Sequence, residues 1–237
     1  MTNDIVSDGP FRIGFGRRGQ TLDELLPGHR WATLHQIHSN KVVHQPIIPG
    51  SAEPQADAHY TFESGLGLVV KTADCLPVLV GGADVIAAIH AGWRGVETDI
   101  IAETLSAIEQ ERPTLMMSSL RVWIGPHIRQ QSFEAGTDVA NRLLSAAEKA
   151  DKRRGDRRHP ADPIFSQAEL SLEKADAADK RWVDLETIAR IQLTSFGIPN
   201  QQIVSVGIDT VSDLRWSSFR RDREQAGRNL SFITATW

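Results

Sequence analysis

A single cysteine and several histidines lie in polar segments beside apolar runs, and together they can supply the ligands of a zinc ion. Cys75 is the one cysteine of the chain and lies in the polar segment 71–77. His90 directly follows the apolar run 85–89. One thiolate and two imidazoles would leave the fourth tetrahedral position of zinc free for water, which distinguishes catalytic from structural zinc. These residue types predict an enzyme with a metal centre.

The second histidine of this set is not fixed by spacing. His35, His38 and His44 all lie in one upstream stretch, and each could complete the site. His35 and His38 would share a face on a helix, but the residues that follow them, 41–43, have the pattern of an extended strand. The residues by themselves leave the choice among these three histidines open.

Cys75 and His90 have a second interpretation that needs no metal. If the runs 76–80 and 85–89 form a hairpin around the Gly-Gly pair between them, the cysteine and the histidine come to the same open end. Such a pair could act as nucleophile and general base. A Cys-His hydrolase or amidase is therefore the alternative function.

Further polar side chains in these segments are candidates for catalysis and substrate binding. Asp74 is the nearest acidic residue for moving protons, or else it caps a turn. Arg94 follows His90 in a segment that contains two glycines, and it offers a planar fork for phosphate or carboxylate. Gln36 and Asn40 either orient a substrate or fix their own loop.

The composition is typical of a globular enzyme without a nucleic-acid or membrane partner. The chain has 237 residues, of which 41% are hydrophobic and 24% charged, and its net charge is −4. No basic surface for nucleic acid is indicated, and no run approaches the ~18 apolar residues of a membrane span. No signal peptide is recognised. A lone cysteine cannot form an internal disulfide, so we expect a cytoplasmic protein, whose oligomeric state the sequence does not indicate.

Short apolar runs rich in Val and Ile alternate with amphipathic helical patterns, which predicts an α/β (α+β) fold with mixed sheets. The predicted strands cover 66–70, 76–80, 85–89, 122–125, 203–208 and 230–235. The predicted helices cover 100–108, 139–147 and 184–196, the last with Asp184 as N-cap and Gly197 at its C-terminal end. No linker divides the chain, so residues 1–237 are expected to form one domain.

Residues 148–181 differ from the rest of the chain because they are dense in charge and poor in apolar side chains. They are expected to form a solvent-exposed, partly helical insertion that adds little to the core. The alternative interpretation is a mobile lid over the site, because long insertions near functional sites often have a function of their own.

Several short motifs occur in an order and spacing that are typical of one bacterial family. They are residues 36–38 (Gln-Ile-His), 56–58 (Ala-Asp-Ala), 72–77 (Thr-Ala-Asp-Cys-Leu-Pro), 90–95 (His-Ala-Gly-Trp-Arg-Gly), 124–126 (Ile-Gly-Pro), 218–222 (Ser-Phe-Arg-Arg-Asp) and 227–229 (Gly-Arg-Asn). On these motifs the chain resembles the bacterial laccase-domain family, also called the multicopper polyphenol oxidase or purine nucleoside phosphorylase family.

The resemblance implies a layered α/β/β/α sandwich and a zinc ion held by His38, Cys75 and His90. It also implies phosphorolysis of adenosine, inosine, guanosine and methylthioadenosine, together with hydrolytic deamination of adenosine. Laccase-type oxidation of phenols and a role in peptidoglycan editing are further family activities, and the latter points the alternative Cys-His hydrolase to cell-wall precursors. Laccase chemistry relies on several copper centres, whereas the sequence offers one three-ligand site whose donors suit zinc. Zinc is therefore expected in preference to copper.

Phosphorolysis requires a phosphate held against the sugar while positive charge develops at C1′. Arg94, Arg220 and Arg221 are the candidates for holding that phosphate. The alternative for Arg220 and Arg221 is a surface salt-bridge pair. The expected ligands are accordingly purine nucleosides and phosphate.

Overall fold

Two facing β-sheets and a layer of helices build the protein, and the ends of the central strands carry the site. The structure is a computed structural model that describes residues 5–45, 52–155, 173–174 and 179–237. In chain order the described strands are β1 (Ile5–Asp8), β2 (Phe11–Gly16), β3 (Arg30–Ala32), β4 (Val42–Gln45), β5 (Ala58–Thr61), β6 (Leu66–Thr72), β7 (Leu76–Gly81), β8 (Ile86–Ala91), β9 (Arg121–Ile124), β10 (Glu134–Gly136), β11 (Glu173–Lys174), β12 (Lys180–Trp182), β13 (Ile203–Ser205) and β14 (Asn229–Ala235). The described α-helices are α1 (Leu22–Leu25), α2 (Trp93–Glu97), α3 (Ile100–Glu111), α4 (Thr137–Arg154), α5 (Leu185–Thr194) and α6 (Phe219–Asp222).

The two larger sheets are both mixed. The six-stranded sheet has the order β13-β9-β7-β8-β5-β4, and the five-stranded sheet has the order β1-β2-β14-β6-β3. Parallel pairs lie at the sheet edges, where β13 joins β9, β4 joins β5 and β3 joins β6. The central neighbours β7, β8 and β9 are antiparallel. A third, small sheet has the order β10-β12-β11. The predicted α/β fold with mixed sheets is confirmed.

The six-stranded sheet is buried on both faces, because alternate side chains of a strand point to opposite sides. Val78 and Ile89 belong to the apolar core that this sheet shares with α3, α4 and α5. Leu79 and Ala88 belong to a second core that also contains Ile233 of β14. Helices thus cover one face and the five-stranded sheet covers the other, while the short α1 packs beside β2.

Most of the predicted strands are confirmed with small changes at their ends. The predictions 66–70, 76–80, 85–89, 122–125 and 230–235 correspond to β6, β7, β8, β9 and β14. The prediction 203–208 is too long, because β13 ends at Ser205. Gly207 has a φ of +67°, in the left-handed region, which is incompatible with continued extended backbone.

The three predicted helices are confirmed as α3, α4 and α5. Asp184 is the N-cap of α5, and its carboxylate accepts hydrogen bonds from the backbone N–H groups of Glu186 and Thr187. Gly197 has a φ of +82°, as expected for a residue that follows a helix C-terminus. No helix in the described part of the chain combines the length and apolarity needed to cross a membrane.

The charged segment 148–181 begins differently from the expectation of an exposed insertion. Residues 148–154 complete α4 instead of leaving the domain. Arg153 donates a 2.9 Å hydrogen bond to the buried carboxylate of Asp99, and Arg154 is itself buried. These contacts tie the end of α4 to the helix layer. Residues 156–172 and 175–178 lie outside the described residues, so the lid stays a prediction.

Candidate metal centre and cavity

Cys75 and His90 lie together because β7 and β8 form the predicted hairpin. The antiparallel register pairs Leu76 with Ala91 and Pro77 with His90. The residue just before β7 therefore lies beside the end of β8. The expectation that the hairpin brings this cysteine and histidine to one open end is confirmed.

His38 joins this pair and completes a cluster of three possible metal ligands. The ligand atoms of His38, Cys75 and His90 all lie within 4.8 Å of one another. Cys75 Sγ is 3.9 Å from His38 Nε2, and the two imidazole rings meet edge to face with centroids 4.8 Å apart. Ligand atoms around tetrahedral zinc are about 3.4–3.6 Å apart, given Zn–S and Zn–N bonds of about 2.3 and 2.0–2.1 Å. A shortening of these distances by up to about 1.4 Å would thus bring all three donors within bonding distance of one ion.

The cluster is exposed to solvent on one side. His90 is buried, Cys75 is partly exposed and His38 is exposed. Gly92 permits the close packing behind the thiol, since a Cβ at this position would lie 2.9 Å from Cys75 Sγ. The three donors therefore line the end of an open cavity and leave one direction free for a further ligand. His35 and His44 do not belong to the cluster.

Asp57 assembles the cluster, and the sequence analysis did not identify it as a site residue. Its side chain is fully buried. Asp57 Oδ1 lies 2.8 Å from His90 Nδ1 and accepts a 2.9 Å hydrogen bond from the backbone N–H of His38. Its other oxygen accepts hydrogen bonds from the N–H and hydroxyl of Ser39, at 2.6 and 2.7 Å. One carboxylate thus orients the His90 ring and holds the His38 loop, as carboxylates behind metal-binding histidines do.

The charges of these groups support one another. Burial opposes ionisation of Asp57, but hydrogen bonds from His90 and Ser39 outweigh it and lower the pKa of Asp57 to about 2. Burial also opposes the thiolate, yet the charge of His90 and the hydrogen bond of His38 lower the pKa of Cys75 to about 6. Despite burial, Cys75 and Asp57 raise the pKa of His90 to about 9. These opposite shifts in pKa favour a thiolate beside an imidazolium near neutral pH when no metal is bound.

Two residues of the site adopt left-handed backbone conformations that L-amino acids disfavour. His38 has a φ of +58° and Asp74 a φ of +83°. The hydrogen bond to Asp57 fixes the first residue, and the bond from Ile128 N–H to the Asp74 carbonyl, 2.9 Å long, fixes the second. Each such residue costs about 1–3 kcal/mol, and such conformations are common at functional sites.

The carboxylate of Asp74 is engaged in fixing the C-terminal segment. Its Oδ1 accepts a 2.6 Å hydrogen bond from the hydroxyl of Thr210, and its Oδ2 accepts one of the same length from the backbone N–H of Arg220. The side chain is buried at the cavity wall. The structure therefore shows the capping contact that the sequence allowed as the alternative to proton transfer.

A cavity of about 630 Å³ opens in front of the cluster, a size suited to a small-molecule ligand. Its apolar wall is formed by Leu34, Trp93, Ile128, Phe133, Leu185 and Phe219. Its cationic side chains are Lys71, Arg94, Arg220, Arg223 and Arg228. An apolar wall beside several cations fits a ligand that carries both an aromatic base and an anionic group.

Two of the three arginines expected to hold phosphate line this cavity. Arg94 packs over the ring of Trp93, with its Cζ 4.4 Å from the ring centroid. Arg220 donates to the carbonyl of Glu134 at 2.9 Å. The guanidinium of Arg221 is instead used internally, because it pairs with the carboxylate of Asp222 and with nearby carbonyls. Arg221 therefore stabilises the C-terminal segment and does not line the cavity.

Gln36 and Asn40 both hydrogen-bond to the backbone of neighbouring elements, and Gln36 also lines the cavity. The amide of Gln36 makes two 2.8 Å hydrogen bonds with the backbone N–H and carbonyl of Lys71. Asn40 donates to the carbonyl of Thr98 at 3.1 Å and does not line the cavity. Both residues thus hold the His38 loop against neighbouring elements.

Comparisons with known proteins place these features in a family. The sequence model of the family described as multi-copper polyphenol oxidoreductase laccase matches residues 15–236. A purine nucleoside phosphorylase of Xylella fastidiosa is 33% identical over 211 residues, which cover 86% of this chain and 70% of that protein. The purine nucleoside phosphorylase YfiH of Escherichia coli is 31% identical over 204 residues, covering 84% and 72%. One from Staphylococcus aureus is 31% identical over 239 residues, covering 96% and 81%.

Solved structures have the same fold. The chain matches the hypothetical protein YfiH of Bacillus licheniformis with a TM-score of 0.77 and 20% identity, covering 99% of this chain and 100% of that one. It matches YlmD of Geobacillus stearothermophilus with a TM-score of 0.77 and 22% identity, covering 100% and 94%. At this identity the match concerns the fold and not the activity.

Proposed function

The chain belongs to the multi-copper polyphenol oxidoreductase laccase family, and we propose that it is a zinc-dependent purine nucleoside phosphorylase. Relatives that are 31–33% identical over most of the chain bear the name purine nucleoside phosphorylase. The proposed substrates are adenosine, inosine, guanosine and methylthioadenosine with phosphate, and hydrolytic deamination of adenosine is a second activity. A free thiol in the site favours a reducing compartment such as the cytoplasm.

The observation that carries the proposal is the convergence of the three metal-ligand side chains on a cavity with unpaired arginines. His38, Cys75 and His90 approach one another at its inner end. Arg94 and Arg220 line the same space, and among the described residues neither guanidinium has a carboxylate partner. A site for metal and a site for phosphate thus share one cavity that also has an aromatic wall.

Phosphorolysis joins a phosphate oxygen to C1′ of the ribose while the bond from C1′ to the base breaks. Arg94 and Arg220 can grip the phosphate through two parallel N–H donors each and hold it against the sugar. Phe133 and Phe219 offer ring faces and edges on which a purine can pack. Asp57 orients His90 and keeps His38 in place. When bound, zinc supplies a Lewis acid with one open coordination position.

The number of metal-ligand clusters favours zinc over the copper chemistry of laccases. Thiolate sulfur and imidazole nitrogen are both ligands of catalytic zinc, which keeps one position open beside three protein ligands. Laccase chemistry uses several copper centres, and the described residues contain a single cluster of this kind. To test the metal, the purified protein is stripped with a chelator and reloaded with Zn²⁺ or Cu²⁺ while phosphate-dependent base release is followed. Recovery with zinc is expected, and recovery with copper only would contradict the assignment.

We expect the zinc affinity of the site to rise with pH. Zinc binds the thiolate and the neutral imidazole, but His90 keeps its proton up to a pKa of about 9 while Cys75 loses its own at about 6. Between pH 6 and 9 zinc binding releases one proton, that of His90, so the zinc affinity should rise about tenfold per pH unit. Below pH 6 the rise should be steeper, because Cys75 must lose its proton as well. Competition with a chromophoric chelator at several pH values measures this slope. An affinity that does not change with pH would refute the protonation scheme.

The rival Cys-His hydrolase has one specific observation in its favour. Cys75, His90 and Asp57 stand in the order of nucleophile, base and orienting carboxylate, with His90 Nδ1 2.8 Å from Asp57. The same three residues would serve a metal-free hydrolysis through an acyl-enzyme. Metal analysis separates the two functions. One zinc per chain without a trapped acyl-enzyme favours the phosphorylase, whereas a metal-free active protein favours the hydrolase.

The substitution Arg94→Ala should reduce the rate of phosphorolysis about tenfold to a hundredfold. This loss corresponds to one charge-assisted hydrogen bond, which contributes about 1.5–3 kcal/mol. Adenosine deamination should fall far less, because that reaction needs no phosphate. The matched control is Arg142→Ala, since Arg142 also lies over Trp93 but is paired with Glu97 through both carboxylate oxygens. Chromatography of adenine and inosine measures both reactions. Equal losses in the two would make Arg94 a general structural residue.

A further inference from the structure

The cavity contains more unpaired positive charge than one phosphate requires. Its five cationic side chains have no carboxylate partner within the described residues; they are Lys71, Arg94, Arg220, Arg223 and Arg228. Ten arginines elsewhere in the fold are ion-paired: Arg18, Arg30, Arg112, Arg121, Arg129, Arg142, Arg153, Arg190, Arg215 and Arg221. Arg220 and Arg228 donate only to backbone carbonyls, which carry no net charge. In a chain of net charge −4, this gathering of cations without ion-pair partners indicates an anionic ligand.

Two carboxylates, Asp74 and Glu53, also line the cavity, but neither forms an ion pair with these cations among the described residues. Asp74 uses both oxygens to accept hydrogen bonds, from the hydroxyl of Thr210 and the backbone N–H of Arg220. Glu53 accepts a hydrogen bond from the hydroxyl of Thr33. Five cations thus face two carboxylates that do not pair with them, which leaves the cavity with an excess of positive charge.

The cations come from two sides of the cavity. Arg94 lies on α2, and Arg220 lies on α6 and donates to the carbonyl of Glu134 in β10. Lys71 lies on β6 and is paired in register with Leu230 of β14, two residues after Arg228. The second group thus lies at the end of the five-stranded sheet, with its own scaffold.

The backbone conformation of Arg223 independently supports a ligand-binding role for this second group of cations. It has a φ of +53° and a ψ of −131°, a backbone conformation that costs a non-glycine residue about 1–3 kcal/mol. Its side chain nevertheless lines the cavity and has no hydrogen-bond partner among the described residues. Strain of this kind concentrates where a side chain must be presented to a ligand.

We propose that Lys71, Arg223 and Arg228 form a second anion subsite, which binds the phosphate group of a nucleoside monophosphate. Arg94 and Arg220 remain available for inorganic phosphate beside the metal cluster. The identity of the base and sugar rests on the proposed function, whereas the anion subsite rests on the charges alone. The volume of about 630 Å³ falls within the range of sites for ligands of this size.

The test is calorimetric titration of the zinc-loaded protein with adenosine, adenosine 5′-monophosphate, ribose 5-phosphate and inorganic phosphate. The monophosphate should bind about tenfold or more tightly than adenosine, as one charge-assisted contact provides. In Lys71→Ala, Arg228→Ala and the double variant the ratio of these two affinities should fall toward one. Arg12→Ala, which removes an exposed positive charge from β2 of the same sheet, should leave the ratio unchanged.

The outcomes separate the two proposals. A ratio near one in the parent protein, or a high ratio that persists in the double variant, overturns the second subsite. If adenosine is neither bound nor cleaved while ribose 5-phosphate still binds through Lys71 and Arg228, the phosphorylase proposal fails and the anion subsite stands. If inorganic phosphate alone shows the dependence on these two residues, the nucleotide assignment is overturned.

Discussion

Cys75→Ser is expected to remove nearly all bound zinc and to lower phosphorolysis at least about a hundredfold, the largest functional effect of any single substitution in this protein. A neutral hydroxyl is a far poorer zinc ligand than a thiolate, and this thiol is already ionised near neutral pH because the pKa of Cys75 is lowered to about 6 by its histidine neighbours. Elemental analysis after dialysis and an assay of base release measure the two effects.

A matched pair of histidine variants shows whether the loss is specific. His38→Ala should lose zinc as Cys75→Ser does, because both residues belong to the cluster. His44→Ala should keep the zinc. His44 lies on β4 outside the cavity, where it stacks on Tyr60 and pairs with Glu111 of α3. Full zinc occupancy in Cys75→Ser, or equal losses in both histidine variants, would show that the metal is held elsewhere.

Asp57→Ala is expected to have the largest combined effect on stability and metal binding. The substitution leaves the buried His90 ring and the backbone N–H groups of His38 and Ser39 without their shared acceptor. Breaking such a buried pair costs about 3–5 kcal/mol, and loss of the carboxylate behind a ligand lowers metal affinity about 10–100-fold. Denaturant unfolding and zinc titration measure the two effects, with Asp84→Ala, an exposed acid paired with Arg112, as the control.

The sign of the pH dependence follows from the depressed pKa of Asp57. The ionised carboxylate stabilises the fold above its ordinary pKa of 3.8, and this contribution is lost as pH falls through about 2. Asp57→Asn should keep part of the hydrogen bonding and bind zinc weakly. Unchanged stability and zinc affinity in Asp57→Ala would mean that the cluster does not depend on this residue.

The hairpin and its two ligands could be predicted from the sequence because the signals are local. Two apolar runs on either side of a Gly-Gly pair determine that Cys75 and His90 meet, and β7 and β8 confirm it. The choice of His38 over His35 and His44 depends on how a loop folds back onto Asp57. That contact joins residues 19 positions apart and leaves no periodic pattern in the chain.

Asp57 and Arg221 show why individual roles are harder to predict than the site itself. Asp57 stands between two alanines, and this pattern does not indicate that its side chain is fully buried. Nor does it indicate that the carboxylate binds both the His38 loop and the His90 ring. Arg220 and Arg221 are adjacent in sequence, yet one lines the cavity while the other is saturated by Asp222 and backbone carbonyls. Only the three-dimensional course of α6 separates them.

The charge pattern of 148–181 was misleading at its start. The sequence predicts that residues 148–154 belong to a solvent-exposed insertion, because charged side chains dominate them. In the structure Arg153 and Lys149 both reach the carboxylate of Asp99, so charges that suggest solvent exposure bind a buried partner instead. A one-dimensional pattern does not contain the position of that partner.

The central claim is tested most directly by incubating the zinc-loaded protein with adenosine, inosine, guanosine and methylthioadenosine, with and without phosphate, and separating the products by chromatography. The proposed function predicts free base and ribose 1-phosphate, or its methylthio derivative, in amounts that depend on phosphate and disappear in Cys75→Ser. Absence of base release from all four nucleosides, with phenol oxidation or amide hydrolysis detected in the same preparation, would contradict it.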